Sequence, residues 1–489
     1  MKKIIYKVFA LLLGLVMIQS CESMDETNTD PTRMDEANAG SFLAPVIYNM
    51  SVYTWQRYNS YTFQLMQCLV TTNSTNGVGW YRITDTAGDG AWTQYYKWLT
   101  NAKAIYDNGV AVGDANYQAI GLTLQCWMYE TLTDAFGDIP VKEACRGDEQ
   151  LYYPKFDSQK DVYSIIIDSL DAANRRFEPS KGLKYNDGGD MLYCTSGTDA
   201  DGITKWRKFA NSLRMRALLR VIDVPGLDAA AKLKQMIDNP DDYPVFENND
   251  ESAMTFISGV APYEAPMTRP SDLSSYKQLS EFFINPLKEW NDPRLPIFAV
   301  KATNKNENGK DVKDYVGLQS GYADMPTING SAPNATTLAT APQSIALMTY
   351  SEVLFIKAEL AQRGIIQQDA AVLYEAAVEA NMQQWGVELP AGYFDNPKTA
   401  YDGTLKRIME QKFYALFFID FQQWFEYNRT GYPDVPKGPG VDSSLHMPYR
   451  FKYPAILQRM NREHYLEAVQ SMGGDDFDTK LIWQKRPEL

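Results

Sequence analysis

The chain has 489 residues, with 47 lysines and arginines against 61 aspartates and glutamates and a formal net charge of −14. Such an acid surplus repels the phosphates of nucleic acids, so we expect no nucleic-acid partner. Hydrophobic content of 45% and charged content of 22% are typical of a folded globular protein. The two histidines, His446 and His464, leave little for histidine-based catalysis or zinc binding.

Residues 1–20 have the pattern of a bacterial signal peptide. Three lysines accompany an apolar run from Val8 to Ile18, which is too short to span a bilayer core of about 30 Å. The run leads to Ser20-Cys21, which resembles a lipoprotein cleavage box, so Cys21 is the predicted lipidation site. Ordinary signal cleavage beside an unrelated cysteine is the alternative. Residues 21–34 are polar and acidic and predict an acylated flexible tether before a folded domain at 35–489.

Helical periodicity dominates the rest of the chain. Apolar residues at steps of three and four predict helices at about 41–72, 92–108, 115–136, 157–177, 204–223, 226–238, 279–290, 401–428 and 462–472. The helix at 115–136 is followed by Gly137 and Pro140, a left-handed cap and a helix breaker. The helix at 204–223 carries Arg207, Arg214, Arg216 and Arg220, which we expect to pair with carboxylates in so acidic a chain.

Two consecutive helices approximate a tetratricopeptide pair. Thr349 and Glu352 have the spacing of a capping box and open the first helix. Ala358, Tyr374 and Ala377 then have the spacing of small and aromatic residues in the repeat, although small residues also serve any close helix crossing.

Extended structure is minor. Segments 297–303 and 312–316 flank Asn308-Gly309, which is a hairpin turn signal. The asparagines before Gly309 also imitate the start of a calcium loop, but Tyr315 occupies the place of the bidentate glutamate, so we prefer the turn.

Four cysteines besides Cys21 lie in a chain whose leader indicates a compartment that permits disulfides. Cys68 and Cys126 fall within apolar helical patterns and are predicted to be buried thiols. Cys145 and Cys194 lie in polar connecting segments and could pair, which the sequence alone does not decide.

The sequence carries no catalytic or cofactor motif. It has no glycine-rich phosphate loop, no Gly-x-Ser-x-Gly elbow, no His-Glu-x-x-His and no Cys-x-x-Cys. We therefore predict that the protein is not an enzyme and uses no cofactor or metal. Two carboxylates at the separation used by glycosidases can be hidden among 61 acidic residues, so a surface glycosidase stays an alternative.

Six phrases follow one another along the chain. They are Asn28-Thr-Asp30-Pro31, Leu132-Thr-Asp134-Ala-Phe136-Gly137-Asp138-Ile139-Pro140, Trp206-Arg-Lys-Phe209-Ala210-Asn211-Ser212-Leu213-Arg214, Asp292-Pro293-Arg294-Leu295-Pro296, Met348-Thr-Tyr-Ser-Glu352-Val-Leu-Phe-Ile-Lys-Ala-Glu359 and Trp424-Phe-Glu426-Tyr-Asn-Arg429-Thr430-Gly431-Tyr432-Pro433. Their order and spacing, from the leader to Lys480-Leu-Ile-Trp483, resemble the SusD/RagB family of nutrient-binding outer-membrane lipoproteins, particularly its SusD-like branch.

The resemblance implies a mainly α fold of tetratricopeptide-like helical pairs with long loops and minor β-hairpins. It also implies a lipid anchor in the outer membrane, exposure to the cell exterior, and a SusC-like TonB-dependent transporter as partner. The implied ligand is a glycan or, in some relatives, a peptide, and it is delivered without catalysis. A helical-repeat adaptor that holds protein partners is a further alternative. None of the six phrases is a ligand-binding motif, so no binding residue is carried over.

Aromatic residues in loops are the candidate ligand-binding residues, because the C–H face of a sugar stacks on the negative face of a ring. Trp80 and Tyr81 lie in a segment rich in Gly and Asn, although the alternative is that both rings fold back under the loop. Trp92 shares a helical face with later apolar residues, which favours a core position. Tyr263 and Tyr322, which also lie in loops, complete the set.

Overall fold

The computed structural model describes residues 38–185, 189–194 and 199–486. The predicted signal peptide at 1–20, Cys21 and the tether at 21–34 lie outside these residues. No helix in the described ranges combines the length and apolar character that crossing a membrane requires.

Helices form most of the described regular structure. In chain order they are α1 (Ala39–Arg57), α2 (Phe63–Leu65), α3 (Asp89–Val112), α4 (Ala115–Phe136), α5 (Gln159–Arg176), α6 (Ala200–Arg220), α7 (Ala229–Asp238), α8 (Glu281–Glu289), α9 (Leu295–Phe298), α10 (Ala335–Leu338), α11 (Tyr350–Gln362), α12 (Ala370–Gln384), α13 (Leu405–Ala415), α14 (Gln422–Thr430), α15 (Ala455–Met460) and α16 (Arg462–Met472). A π-helical turn at Tyr58–Thr62 follows α1. The mainly helical fold expected from the sequence is therefore confirmed.

Short strands pair as antiparallel ribbons. They are β1 (Leu69–Thr71), β2 (Ala253–Ile257), β3 (Lys277–Leu279), β4 (Ala302–Lys305), β5 (Asp311–Asp314) and β6 (Gln343–Met348), which pair as β1 with β3, β2 with β6 and β4 with β5. The ribbon of β4 and β5 is the hairpin predicted around Asn308-Gly309. Gly309 has a φ of +72°, a conformation that glycine adopts without strain.

Two predicted helices are interrupted in the structure. The segment at 401–428 forms α13 and α14 instead of one helix, because Phe418 and Asp420 have φ angles of +62° and +37°. The helix predicted at 41–72 is likewise too long: regular helix ends at Leu65, and Gln67 has a φ of +54°. Periodicity cannot detect these breaks, since apolar residues continue across both of them.

The predicted tetratricopeptide-like pair is formed by α11 and α12. Ala358, Tyr374 and Ala377 are all buried at their contact. The hydroxyl of Ser351 in α11 donates to the carbonyl oxygen of Ala377 in α12 at 2.7 Å, so the two backbones approach closely where small residues permit it.

Buried ion pairs join α6 to α4, α11 and α14. Arg216 donates to both carboxylate oxygens of Glu352 at 2.7 Å, and Arg220 lies 3.0 Å from Asp134 and 2.6 Å from Glu426. Charges are tolerated in a core only when they are paired in this way. The pairing expected for the arginines of α6 is therefore confirmed for these two and for Arg214, which contacts Asp171, whereas Arg207 donates to the amide oxygen of Asn174 and the backbone oxygen of Asp242.

Cys145 and Cys194 do not form the disulfide that the sequence allowed. The thiol of Cys145 lies 3.8 Å from the backbone oxygen of Tyr96 in α3. Cys194 is buried beside Asp190, which accepts its backbone N–H. Each thiol is held by a separate part of the fold, and burial raises the pKa of both.

Candidate functional site

A pocket of about 400 Å³ opens where two strands, several helix ends and the turn between α13 and α14 meet. We call it the ring-lined pocket. Its lining residues are Trp55, Met254, Ile297, Thr336, Thr337, Leu338, Thr340, Pro342, Gln343, Ser344, Ile345, Ala346, Gln384, Trp385, Phe417 and Phe418. Ten of these residues are apolar and six are uncharged polar residues, and the volume is in the range of small-molecule sites.

The turn between α13 and α14 supplies part of the aromatic wall. Phe418 has the positive φ that separates these helices, and its ring stacks on Trp55 with centroids 5.4 Å apart and an interplanar angle of 28°. Trp55, near the end of α1, is fixed by its indole N–H, which donates to the backbone oxygen of Leu338 at 3.2 Å. Trp55 and Phe418 are therefore rigid parts of the pocket wall.

Trp385 follows directly after α12 and is the half-buried ring of the wall. Its ring meets Phe298 edge-on, with centroids 5.0 Å apart at 87°, and lies 6.2 Å from the ring of Phe417. Since Trp55, Phe417 and Phe418 are buried, Trp385 offers the most accessible aromatic surface among the lining rings.

A further ring stands at the rim of the pocket. Phe256 in β2 is 57% exposed and lies opposite Ser344 of β6. Alternate residues of a strand share a face, so Phe256 is on the same side of the ribbon as Met254, which lines the pocket. An exposed phenyl ring beside a recess can extend a stacking surface towards solvent.

The ring-lined pocket has no charged wall. None of its lining residues, all within 38–185 and 199–486, is Asp, Glu, Lys, Arg or His. Asp420 is two residues after Phe418, and it is buried and accepts the hydroxyl of Tyr95 at 2.5 Å. Burial raises the pKa of Asp420 to about 7. A ligand with a full charge would lose its hydration here without gaining a counter-charge, so the pocket suits a neutral ligand.

Two other cavities differ from the ring-lined pocket because charged residues line them. The loop cleft, of about 620 Å³, lies between residues 76–84, 444–448 and 477–478 and includes Arg82 and a pair, His446 and Asp478, whose side chains are 2.6 Å apart. A smaller cavity of about 260 Å³ beside α8 is lined by five acidic or basic residues, Glu289, Lys398, Arg407, Glu410 and Asp434. Burial raises the pKa of Glu410 in this cavity. Both cavities therefore present charges that the ring-lined pocket lacks.

The rings predicted to bind ligand in the 73–82 segment support its loop from within. Trp80 is 2% exposed, and its indole N–H donates to the backbone oxygen of Tyr322 at 3.1 Å. Tyr322 is also buried, and its hydroxyl lies 2.8 Å from the oxygen of Thr71 and 2.9 Å from that of Ser74. Tyr81 is 5% exposed at the wall of the loop cleft. The expectation of an exposed platform is corrected, because all three rings are buried. The polar atoms of Trp80 and Tyr322 are bound by backbone oxygens beneath the loop.

The other two predicted rings lie elsewhere. Trp92 is buried against Phe136, with centroids 5.1 Å apart, and this is the core position favoured by its helical face. Tyr263 is half-buried and packs against Tyr48 with centroids 5.4 Å apart. Neither residue lines the ring-lined pocket, and ligand binding by Tyr263 stays a prediction.

The aromatic residues of this pocket are not among the candidates from the sequence, because those candidates were rings expected in or beside loops. Trp55 is near the end of a long helix, Phe256 is in a strand, and Phe418 lies within what the periodicity predicts to be one helix. Only Trp385 has a usable signal in the sequence. It comes just after a helical pattern ends and directly before Gly386, which indicates a ring at the end of a helix.

Residues 31–454 match the SusD-like family described as "Starch-binding associating with outer membrane". The match covers most of the chain, and the chain therefore belongs to this family. A search of the curated proteins finds no match.

Solved structures agree with this assignment. A chitin-binding protein has a TM-score of 0.78 and 25% identity, and the alignment covers 91% of this chain and 100% of that one. A SusD homologue from Bacteroides fragilis has a TM-score of 0.76 at 21% identity, with 92% and 100% covered. A chitin-binding SusD homologue from Flavobacterium johnsoniae has a TM-score of 0.73 at 23% identity, with 92% and 99% covered. The last two similarities define the fold.

Proposed function

We propose that this protein is a cell-surface lipoprotein of the outer membrane that binds a neutral oligosaccharide and delivers it, without catalysis, to a SusC-like TonB-dependent transporter. The observation that carries the proposal is the uncharged, ring-lined pocket with an exposed phenylalanine at its rim.

The pocket suits a sugar for two physical reasons. A pyranose has an apolar C–H face that stacks on aromatic rings, and Trp385 and Phe256 offer such surfaces. The sugar also carries neutral hydroxyls, which can exchange hydrogen bonds with the side chains of Thr336, Thr340 and Ser344 on the wall. A peptide with charged side chains or termini would find no opposite charge on this wall.

The relatives support the same ligand class. The family description refers to starch, and two similar structures are described as chitin-binding. These polymers are both built from sugars. A peptide ligand is therefore the second possibility within the binding class, and it is less well matched to the uncharged pocket.

The binding proposal can be tested at Phe256. We expect the full-length protein in detergent to bind at least one neutral oligosaccharide on a glycan array. Phe256→Ala should weaken that binding by about 1–3 kcal/mol in calorimetry, because aromatic anchors contribute about this much. Its melting temperature should change little, since the ring is 57% exposed.

Tyr152→Ala is the matched control, because Tyr152 is 66% exposed and does not line the pocket. It should bind the glycan like the unaltered protein. Equal loss in both variants, or no loss at Phe256, would remove the pocket from the proposal.

Anchoring and partnership are separate parts of the proposal. Cys21→Ala should abolish incorporation of radioactive palmitate and release the protein from the membrane fraction. Pull-down of the unaltered protein from solubilised outer membranes should recover a TonB-dependent transporter. Undiminished labelling of the variant would contradict the lipid anchor, and recovery of the protein alone would count against delivery to a transporter.

A further inference from the structure

The cavity of about 260 Å³ beside α8, which we call the α8 cavity, has an aromatic wall built by two helices. Phe282 and Trp290 come from α8 and the residue that follows it, and Phe413 and Tyr414 come from α13. The rings form a continuous row in the order Phe282, Phe413, Tyr414 and Trp290, with neighbouring centroids 5.4, 5.4 and 5.5 Å apart. Phe282 is half-buried and is the most accessible ring of the row.

Glu410 places a carboxylate beside this row of rings. It lies three residues before Phe413 and four residues before Tyr414 in α13, so the three residues share one face of the helix, with Cβ atoms about 5–6 Å apart. The side chain of Glu410 keeps 25% of its surface exposed. Because Glu410 lines the cavity and is partly exposed, a group bound in the cavity can reach its carboxylate.

The other two acidic residues on the wall are already paired with lysines. Glu289 accepts a hydrogen bond from Lys398. Asp434 accepts one from the ammonium group of Lys406 at 2.5 Å. These two carboxylates therefore have their own counter-charges in the fold, and Glu410 is the acid of this wall that has to be accounted for separately.

Arg407 compensates the charge of Glu410 incompletely. Its Nη1 lies 3.5 Å from Glu410, which is longer than the usual hydrogen-bond distance of about 2.7–3.2 Å. Its Nη2 lies 3.6 Å from Asp402 and donates to the backbone oxygen of Pro397 at 3.2 Å. The guanidinium is thus shared among several acceptors, and the carboxylate of Glu410 accepts no hydrogen bond from the described residues.

The surroundings of Glu410 also disfavour its ionised form. Burial raises the pKa of Glu410, and the nearby charges of Asp402 and Asp434 raise it further, against the lowering effects of Arg407 and Lys406. The wall of the cavity as a whole has three acidic residues and two basic ones. A cation in the α8 cavity would therefore stabilise a carboxylate that the fold leaves short of donors.

The cavity also restricts the size and shape of that cation. Its volume is below the range of about 300–1,000 Å³ that is usual for sites of whole drug-sized ligands, so it suits one small molecule or a single side chain. Six of its eleven lining residues are aromatic residues or prolines, which stabilise an apolar body. The face of an aromatic ring attracts a cation as well.

We propose that the α8 cavity binds an organic ammonium ion, whose N–H groups donate to the carboxylate of Glu410 and whose apolar part packs against the row of rings. A free amine and the lysine side chain of a peptide both present this chemistry. The inference goes beyond the proposed function, because the α8 cavity and the ring-lined pocket share no lining residue.

The test pairs each cation with a neutral analogue of nearly the same shape. Full-length protein in a nonionic detergent is titrated with phenethylamine and with 2-phenylethanol, with detergent alone as the blank. An acetylated lysine tripeptide amide and its norleucine analogue, each with glycine on both sides, form the peptide arm. In ligand-observed NMR we expect the cation of at least one pair to bind at least about fivefold more tightly than its analogue, because a charge-assisted hydrogen bond distinguishes the two.

Two conservative variants locate the binding site. Glu410→Gln keeps the shape of the side chain and removes its charge, so the preference for the cation should disappear. Phe282→Leu keeps an apolar side chain and removes the ring, so it should weaken binding of the cation about twofold to fivefold more than binding of the neutral analogue. Circular dichroism, melting temperature and unchanged glycan binding establish that both variants are folded.

Glu307→Gln is the matched control, because Glu307 is exposed in the turn between β4 and β5 and does not line the cavity. It removes the same charge and should keep the full preference for the cation. A preference that is lost in Glu410→Gln and kept in Glu307→Gln supports the inference, and the pair with the larger preference identifies a free amine or a lysine side chain as the ligand.

Three results would overturn ammonium binding and leave glycan binding as it stands. The first is equal affinity for both members of each pair, or no saturable binding of any probe. The second is a preference for the cation that persists in Glu410→Gln. The third is an equal loss of preference in Glu410→Gln and Glu307→Gln, which would assign the preference to the overall negative charge of the protein.

Discussion

The loop at 73–84 and the ring-lined pocket each place a tryptophan among polar residues, but the two indoles differ. The N–H of Trp80 donates to the backbone of Tyr322, and the ring is 2% exposed. The N–H of Trp385 has no partner among the described residues, and the ring is half-buried. A buried tryptophan whose N–H is bound by its own fold supports structure, whereas a half-buried ring on the wall of a cavity keeps a surface on which a ligand can stack.

Truncation of Trp80 should produce the largest effect, and it should act on stability alone. Trp80→Ala leaves a cavity beneath the loop, and we expect a loss of about 3–5 kcal/mol in the free energy of unfolding, measured by urea denaturation. The folded fraction should bind glycan with unchanged affinity, because Trp80 does not line the ring-lined pocket. A variant with the stability of the unaltered protein and no glycan binding would reverse the roles of the two regions.

The sequence predicted much of the scaffold because helical periodicity and caps are local signals. The end of α4 at Phe136 followed from Gly137 and Pro140, although Gly137, with a φ of +89° and a ψ of −121°, does not adopt the left-handed cap that the sequence predicts. The α11–α12 pair followed from the spacing of Ala358 and Tyr374. The positive φ at Phe418 carries no such signal, since phenylalanine does not normally favour it.

The ring-lined pocket could not be predicted either, because no local signal in the sequence indicates it. Its wall joins Trp55, Met254, Ser344 and Trp385, which are distant in sequence and meet only through tertiary packing. The loop rings were misjudged because polar neighbours at 73–79 indicate a surface loop, but they do not show that Trp80 and Tyr81 turn inward.

Asp420, two residues after Phe418 of the pocket wall, is buried and keeps one carboxylate oxygen without a partner among the described residues. Its pKa is raised by burial to about 7 from an ordinary value of 3.8. The folded state therefore binds this proton more tightly than the unfolded state does. The stabilising contribution of the protonated carboxyl is complete below about pH 4 and is lost as the pH rises towards 7, by at most about 1.4 kcal/mol per pH unit.

Asp420→Asn should remove this dependence, because the amide does not ionise and can still accept the hydroxyl of Tyr95. We expect the free energy of unfolding of the variant, relative to the unaltered protein, to increase by about 2 kcal/mol between pH 5 and pH 7. Urea denaturation at both pH values measures the difference, in which the remaining groups cancel. Parallel pH profiles for the two proteins would show that Asp420 is ionised throughout.

The smallest effect of a substitution is expected at the loop cleft. The measurement there decides whether the loop cleft also binds the glycan. Arg82 is exposed there, and the structure shows it on the cleft wall with Tyr81 and His446. Arg82→Ala should change the free energy of unfolding by less than about 0.5 kcal/mol, because an exposed side chain loses little on truncation. Affinity for the neutral glycan should also be unchanged in calorimetry, since the ring-lined pocket contains no residue of this loop. If Arg82→Ala weakened glycan binding as much as Phe256→Ala does, the ligand would have to contact both cavities, and the larger, charged cleft would become part of the site.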